Sequence, residues 1–238
     1  MYYFPLAPLF LLFFILFLAV LIVAVEFGVL RYAYERMGVG RRHMFALLLL
    51  TFFGSYVNIP IYYLPAQNMV SHTVVSIGGM RYVIPQVTQW HGTVVAINVG
   101  GAVIPILLSL YLIMKNRFLP RALLGIAIVT VVVHLMAYPV KGVGIAVPVL
   151  TPPLISAAVG LLLSRRLSAP LAYVAGSMGT LLGADILNLG KVQGLGAPVA
   201  SIGGAGTFDG IFLTGIVSVL LISLVRRKGP AEEVREHP

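Results

Sequence analysis

Residues 122–138 read ALLGIAIVTVVVHLMAY and contain no Asp, Glu, Lys or Arg. A helix needs about 20 mostly apolar residues to cross a hydrocarbon core about 30 Å thick, so this run indicates a membrane span. Other stretches of the chain have the same character. The predicted spans are residues 6–30, 44–64, 93–114, 122–138, 144–163, 171–189 and 201–225.

The composition agrees with this interpretation. The chain has 238 residues, of which 59% are apolar and 10% charged, and its mean hydropathy is +1.00. Soluble domains average about 45–50% apolar and roughly 25% charged residues. A soluble enzyme, a disordered chain and a nucleic-acid-binding module are therefore excluded. Cysteine is absent, which excludes thiolate catalysis and Cys-ligated metals, and we expect no metal and no cofactor.

Lysine and arginine are distributed unequally between the two sets of loops. Short basic loops stay in the cytoplasm, so the N-terminus is predicted outside and the C-terminus inside the cell membrane. An odd number of spans is then required, and seven satisfies it. The more basic side carries Arg31, Arg36, Arg41, Arg42, Lys115, Arg117, Arg121, Arg165, Arg166, Arg226, Arg227, Lys228 and Arg235; the other carries Arg81, Lys141 and Lys191.

One loop is long. Residues 65–92 contain two β-prone runs, HTVVSI and MRYVIP, on either side of Gly78-Gly79, which predicts an external β-hairpin with a tight turn. The expected fold is thus an all-α polytopic membrane protein with about seven transmembrane helices and a short extracytoplasmic hairpin. Residues 1–228 are predicted to form a single transmembrane domain, and residues 229–238 a cytoplasmic tail.

Ionisable residues inside spans cost roughly 2.5–3.5 kcal/mol each on insertion scales and need an explanation. Glu26 is close enough to Arg31 to pair with it, and His134 is explained as a neutral histidine bonded to a carbonyl. Asp185 and Asp209 fall at similar depths on two consecutive antiparallel spans. We therefore predict that their carboxylates approach each other and form the functional site.

Small and polar residues surround both aspartates. Asn188 falls three positions after Asp185, on the same face of a regular helix, and is expected to orient a carboxylate. The glycines before Asp209 disfavour helix, so this stretch is predicted to be unwound beside a wet cavity or protein. The predicted supporting residues are Asn188, Gly203, Gly204, Gly206, Thr207 and Gly210.

These two segments resemble the presenilin and signal peptide peptidase group of aspartyl intramembrane proteases. That group carries Tyr-Asp on one helix and Gly-x-Gly-Asp on the next. Here Ala184-Asp185 stands for the first motif and Gly206-Thr207-Phe208-Asp209 for the second. The resemblance implies that Asp185 and Asp209 are catalytic and that the substrate is a transmembrane polypeptide.

Along most of its length the chain also resembles an uncharacterised family of bacterial and archaeal multi-pass membrane proteins. The runs that carry this second resemblance are INVGGAVIP, GVGIAVP, GADILNL and SIGGAGTFDGIFLTG. It implies a fold and no chemistry.

Three functions remain open. The first is an aspartyl intramembrane protease, in which two close carboxylates share a proton. The second is a proton- or ion-coupled transporter or channel, because discontinuous helices with carboxylates also form ion sites. The third is a non-catalytic subunit of a membrane complex, held by small-residue stripes. The expected partners are the lipid bilayer, a polypeptide substrate or partner subunit, and a second copy of the chain; nucleic acid is not expected.

Overall fold

The computed structural model describes Leu16, Glu35 and residues 37–65, 68–77, 80–89, 92–140, 144–192, 195, 197–204 and 210–225. The helices in these ranges are α1 (Arg41–Gly54), α2 (Ile104–Asn116), α3 (Leu119–Met136), α4 (Thr151–Leu163), α5 (Ser168–Thr180), α6 (Leu189–Val192) and α7 (Gly210–Val225). The strands are β1 (Asn58–Leu64), β2 (Asn68–Ile77), β3 (Met80–Gln89), β4 (Thr93–Asn98), β5 (Tyr138–Val140), β6 (Gly144–Ala146) and β7 (Val199–Ile202). Two π-helical turns, Val99–Val103 and Leu181–Asp185, and a 3-10 turn, Ile186–Asn188, complete the described elements.

Three helical stretches of the described chain are long and apolar enough to cross a membrane: Val99–Asn116, Leu119–Met136 and Ser168–Val192. His43–Gly54, Thr151–Leu163 and Gly210–Val225 are apolar but shorter. The second of the long stretches, α3, exposes a row of large apolar side chains, including Leu123, Val131 and Leu135. These features fit a multi-helix membrane protein. The number of seven spans stays a prediction, because residues 6–30 lie outside the described residues apart from Leu16.

Four of the predicted spans are only partly helical, which corrects the all-α expectation. β1 ends the span 44–64, whereas β4, β6 and β7 lie at the starts of 93–114, 144–163 and 201–225. In β1, Pro60 lacks an N–H and disfavours helix at Ile59. β4 is rich in valine, which packs well on a pleated surface. Apolar character alone does not distinguish such strands from helix.

β4 is the central strand of a three-stranded sheet in the order β1-β4-β7. β1 runs antiparallel to it, with Asn58 opposite Asn98 and a register shift between Pro60 and Tyr62. β7 runs parallel to β4, with Ile97 opposite Ile202. Asn58, Asn98 and the residue that follows Ile202 therefore meet at one end of the sheet.

The external hairpin predicted for residues 65–92 is confirmed as a hairpin. β2 and β3 pair antiparallel from Asn68↔Gln89 to Ile77↔Met80. A second, shorter antiparallel pair, which was not predicted from the sequence, joins β5 to β6.

α5 is the central helix of the described bundle and contacts α2, α3, α4 and α7. All its residues except Met178 are buried. Glycine permits its close approach to α3, because a Cβ at Gly179 would lie 2.6 Å from Val129 Cβ. Gly183, in the π-helical turn, is equally close to the carbonyl oxygen of Thr130. Glycine at these two positions therefore permits close contact between the helices.

Candidate functional site

Asp185 lies where the long central helix changes type. It is the last residue of the π-helical turn that continues α5, and it is half-buried. Such turns are rare and occur frequently at functional sites. The backbone N–H of Gly203 donates a hydrogen bond to Asp185 Oδ2 at 2.7 Å, and a carboxylate acceptor makes such bonds stronger than neutral ones. Asp185 thus ties the end of this helix to the end of β7.

The backbone that meets Asp185 is a glycine corner. Gly203 and Gly204 follow β7 with φ of 90° and 83°, a region that L-residues rarely adopt. A Cβ at Gly101 would overlap the carbonyl oxygen of Gly203, so the two backbones touch. The non-helical backbone predicted before Asp209 is confirmed at Gly203 and Gly204.

Asn98 holds the matching corner at the end of β4. Its side chain is fully buried, at 0% exposure. Its Oδ1 accepts a hydrogen bond from Gly101 N–H at 2.8 Å, which caps the π-helical turn Val99–Val103. Its Nδ2 donates to the Ser55 carbonyl at 2.7 Å and to Asn58 Oδ1 at 3.1 Å. One side chain therefore joins α1, β1, β4 and the start of the helical segment before α2.

Ser201 extends this network to β7. Its hydroxyl lies 2.7 Å from Asn58 Oδ1 and 2.6 Å from the Gly204 carbonyl oxygen, within donating distance of both. Asn58 Oδ1 therefore lies within hydrogen-bonding distance of two side chains, Asn98 on the neighbouring strand β4 and Ser201 on β7, the strand beyond β4. The network fixes the Gly203-Gly204 corner relative to the sheet, and through Gly203 N–H it positions the Asp185 carboxylate.

Two cavities border Asp185. The first, here called the β7 cavity, has a volume of about 290 Å³ and is lined by Asp185, Leu189 and the four residues Val199–Ile202 of β7. The second, here called the Thr180 cavity, has a volume of about 280 Å³ and is lined by Thr180, Ala184, Asp185 and Thr214, among others. Asp185 is thus reached from two sides.

The described hydrogen bonds of Asn188 go to backbone carbonyls, and the carboxylate-orienting role predicted for it stays a prediction. Its Nδ2 donates to the carbonyl oxygens of Gly183 and Ala184 at 2.8 and 3.0 Å and lies 3.2 Å from His134 Nδ1. The prediction assumed a regular α-helix from Asp185 onward, whereas the chain changes to a 3-10 turn at Ile186. Asn188 therefore satisfies carbonyls of the irregular segment and contacts α3. His134 Nδ1 lies next to this amide nitrogen, and the carbonyl partner expected for it is not among its described contacts.

The remaining predicted site residues divide into two groups. Gly203 and Gly204 form the corner beside Asp185, and Gly210 lines the Thr180 cavity. Asp209, Gly206 and Thr207 lie outside the described residues, as does Glu26. The predicted approach of the two carboxylates therefore stays a prediction.

Sequence reasoning did not place Thr180, Asn98 or Ser201 in the site. Asn98 and Ser201 each precede a Gly-Gly pair at the end of a strand, in INVGG and SIGG, and this repeated pattern was the available signal. Nothing local marks Thr180. Within the described residues, His, Asp and Glu form no group of three that could hold a metal ion.

Comparison with known proteins identifies a family. Residues 52–221, most of the chain, match the family model described as "Protein of unknown function (DUF1614)". No curated protein and no solved structure gives a significant match. The resemblance to the presenilin group gains no support from these comparisons and rests on the two aspartate motifs. The expectation of an uncharacterised family is confirmed: the chain belongs to the DUF1614 family of proteins of unknown function.

Proposed function

We propose that this protein is an intramembrane aspartyl endopeptidase with Asp185 and Asp209 as its catalytic pair. The observation that carries the proposal is that Asp185 and an edge strand line one cavity. β7 pairs with β4 on one side only among the described strands, and its four residues line the β7 cavity beside Asp185. An extended peptide that adds to a sheet edge gains main-chain hydrogen bonds. Such a peptide on β7 would have its amide bonds next to a carboxyl group.

The chemistry needs two carboxyl groups and one water. The ionised carboxylate takes a proton from water while the water oxygen attacks the scissile carbonyl carbon, and the protonated carboxyl polarises the carbonyl oxygen. The C–N bond of the resulting intermediate then breaks, and a proton passes to the leaving amine. One water is consumed, and one carboxylic acid and one amine form. Two carboxyl groups at close range share one proton readily, because both cannot ionise together.

The polar network supports this role by limiting the movement of Asp185. Its Oδ2 accepts the Gly203 N–H at 2.7 Å, and the Ser201 hydroxyl, which has one hydrogen, lies within donating distance of the Gly204 carbonyl oxygen and of Asn58 Oδ1. Catalytic groups must be held in a productive geometry by such supporting contacts. Gly204, the second residue of the corner, also lies five residues before Asp209 along the chain. The corner therefore contacts the first carboxyl group and precedes the second by a short stretch of chain.

The proposed location of the protein is the cell membrane, with the N-terminus outside and the C-terminus in the cytoplasm. The unequal distribution of lysine and arginine supports this orientation. Its proposed substrate is a transmembrane polypeptide that unwinds locally beside β7, and a second copy of the chain is a further candidate partner.

A transition-state-analogue probe tests the proposal without a known substrate. A peptide with a hydroxyethylene isostere imitates the tetrahedral intermediate, and such analogues bind more tightly than substrates. A photoreactive version should label the wild-type protein in membranes, and Asp185→Asn and Asp209→Asn should each abolish labelling. Glu35→Gln is the matched control, because Glu35 also carries a carboxyl group but lines neither cavity described here, and it should label normally.

Retention of labelling in either aspartate variant would overturn the proposal, provided that both variants purify with the wild-type helical content. Cleavage of a panel of fluorescent transmembrane peptides should follow the same pattern. Activity that survives in Asp185→Asn would be equally decisive against the assigned pair.

One observation favours a second candidate, a proton- or ion-coupled carrier. Asp185 borders both cavities, and a carboxylate between two cavities, beside non-helical backbone, is also an arrangement found in transporters. This candidate predicts that proteoliposomes acidify in response to a pH or sodium gradient and that Asp185→Asn stops this flux. It also predicts that the isostere probe does not label the wild-type protein.

A further inference from the structure

The Thr180 cavity contains a polar group with no hydrogen-bond partner among the described residues. Thr180 is 4% exposed, and its Oγ1 has no hydrogen-bond partner within the described part of the chain. A buried hydroxyl left unpaired is costly, and one that persists in a native fold points to an unseen water or ion. Thr180 lines the cavity, so this side chain borders open space.

The π-helical turn brings Thr180 and Asp185 to the same cavity. In a regular α-helix of 3.6 residues per turn, a residue five positions on lies about 140° around the axis. Hydrogen bonds of a π-helical turn span i to i+5, so the wider turn carries residue i+5 back toward residue i. The turn Leu181–Asp185 occupies this interval, and both Thr180 and Asp185 line the cavity as a result.

The cavity runs from an exposed rim to a buried floor. Pro148, Val149 and Gly210 at the rim are exposed, whereas Thr180 and Ala184 are buried. Its volume of about 280 Å³ accommodates several water molecules, each of which occupies roughly 30 Å³ in the liquid. The Thr180 hydroxyl and the Asp185 carboxyl group supply the polar partners that a buried water requires.

We propose that the Thr180 cavity is filled with water and that Thr180 Oγ1 holds a water molecule on the Asp185 side of it. Thr180 is then a positioning residue that supplies the water consumed in peptide hydrolysis. The hydration of the cavity is independent of the proposed function, whereas the role of Thr180 in hydrolysis rests on the proposed function. A membrane-embedded site needs such a supply, because the surrounding hydrocarbon contains no water.

The absence of cysteine from the chain makes a direct test available. Ala184→Cys places a single thiol in the cavity wall, and Ala175→Cys is the matched control. Both alanines are buried, at 5% and 0% exposure. Ala175 lies earlier on the same helix and lines neither cavity described here. A charged methanethiosulfonate reagent, sulfonatoethyl methanethiosulfonate, does not enter hydrocarbon and modifies only thiols that water reaches.

The thiol at position 184 should react at least about tenfold faster than the thiol at position 175, since a sealed thiol reacts only through local opening. Both should react alike after denaturation in dodecyl sulfate. Equal protection of the two thiols in the folded protein would overturn the proposal. Equal, rapid reaction of both would do so as well, because it would mean that reactivity does not depend on the cavity.

Cleavage kinetics test the role of Thr180 itself. Thr180→Val removes the hydroxyl with little change of shape, and it should lower kcat on the order of tenfold to a hundredfold with KM unchanged, as expected when a reactant is misplaced. Thr180→Ser should restore kcat. An unchanged kcat in Thr180→Val would overturn the positioning role. If Asp185→Asn retains full cleavage, the proposed function fails instead, and the thiol reactivity still decides whether the cavity holds water.

Discussion

Asn98→Ala should be among the most destabilising single substitutions in the sheet region. It leaves two buried backbone groups without their partners, the N–H of Gly101 and the carbonyl of Ser55. Each orphaned group costs about 1–3 kcal/mol, so the expected loss in free energy of unfolding is roughly 2–6 kcal/mol. Asn58 Oδ1 adds little to this cost, because Ser201 still lies within donating distance of it.

Two further variants make the measurement decisive. Asn98→Ser retains a side-chain oxygen that can cap the Gly101 N–H, so it should lose only about half as much. Asn116→Ala is the control, because Asn116 Nδ2 donates one hydrogen bond, to the Leu112 carbonyl, in a half-buried position; its expected cost is about 1 kcal/mol. Unfolding should be followed by far-ultraviolet circular dichroism in mild detergent. The reasoning is refuted if Asn98→Ala costs no more than Asn116→Ala.

Two further predictions concern close backbone contacts. Gly101→Ala forces a Cβ against the Gly203 carbonyl and should lower the midpoint of thermal unfolding sharply, whereas Gly190→Ala, where a Cβ would meet nothing within 4 Å, should leave it unchanged or slightly raised; equal effects would contradict the contact. Gly179→Ala should destabilise the protein through its clash with Val129, and adding Val129→Ala should recover part of that loss. A double-mutant cycle measures this coupling, and strict additivity would show that the two helices do not meet there.

Local sequence pattern was enough to establish the membrane-type helices and the hairpin. Residues 122–138 contain no charged residue of the Asp, Glu, Lys or Arg type, and α3 covers most of them. The Gly78-Gly79 turn was recognisable because a two-residue hairpin loop has a strong local preference, and β2 and β3 pair in the register that it implies. The positive φ values at Gly203 and Gly204 follow from a glycine-rich run for the same local reason.

The three-stranded sheet was beyond the reach of local pattern. β4 and β7 are about 100 residues apart in the chain, and their pairing depends on how the intervening helices pack. The same β-branched residues are compatible with a membrane helix or a buried strand. Thus the strand pairing of Val94 with Val199, and not the composition of either segment, determines where the predicted spans become extended.

The site divides in the same way. Asp185 was recognisable from its sequence, because a carboxyl group in an apolar run is costly and needs a reason. The roles of Asn188, Thr180 and Asn98 were not, because each depends on a departure from regular helix or on a partner distant in sequence. The π-helical turn rotates the residues after Thr180, and a single such change moves every following side chain to another face. The free-energy cost of placing a carboxyl group in an apolar segment depends on that residue and its neighbours in the chain. The direction in which a side chain points and the partner that it meets depend on the packed fold.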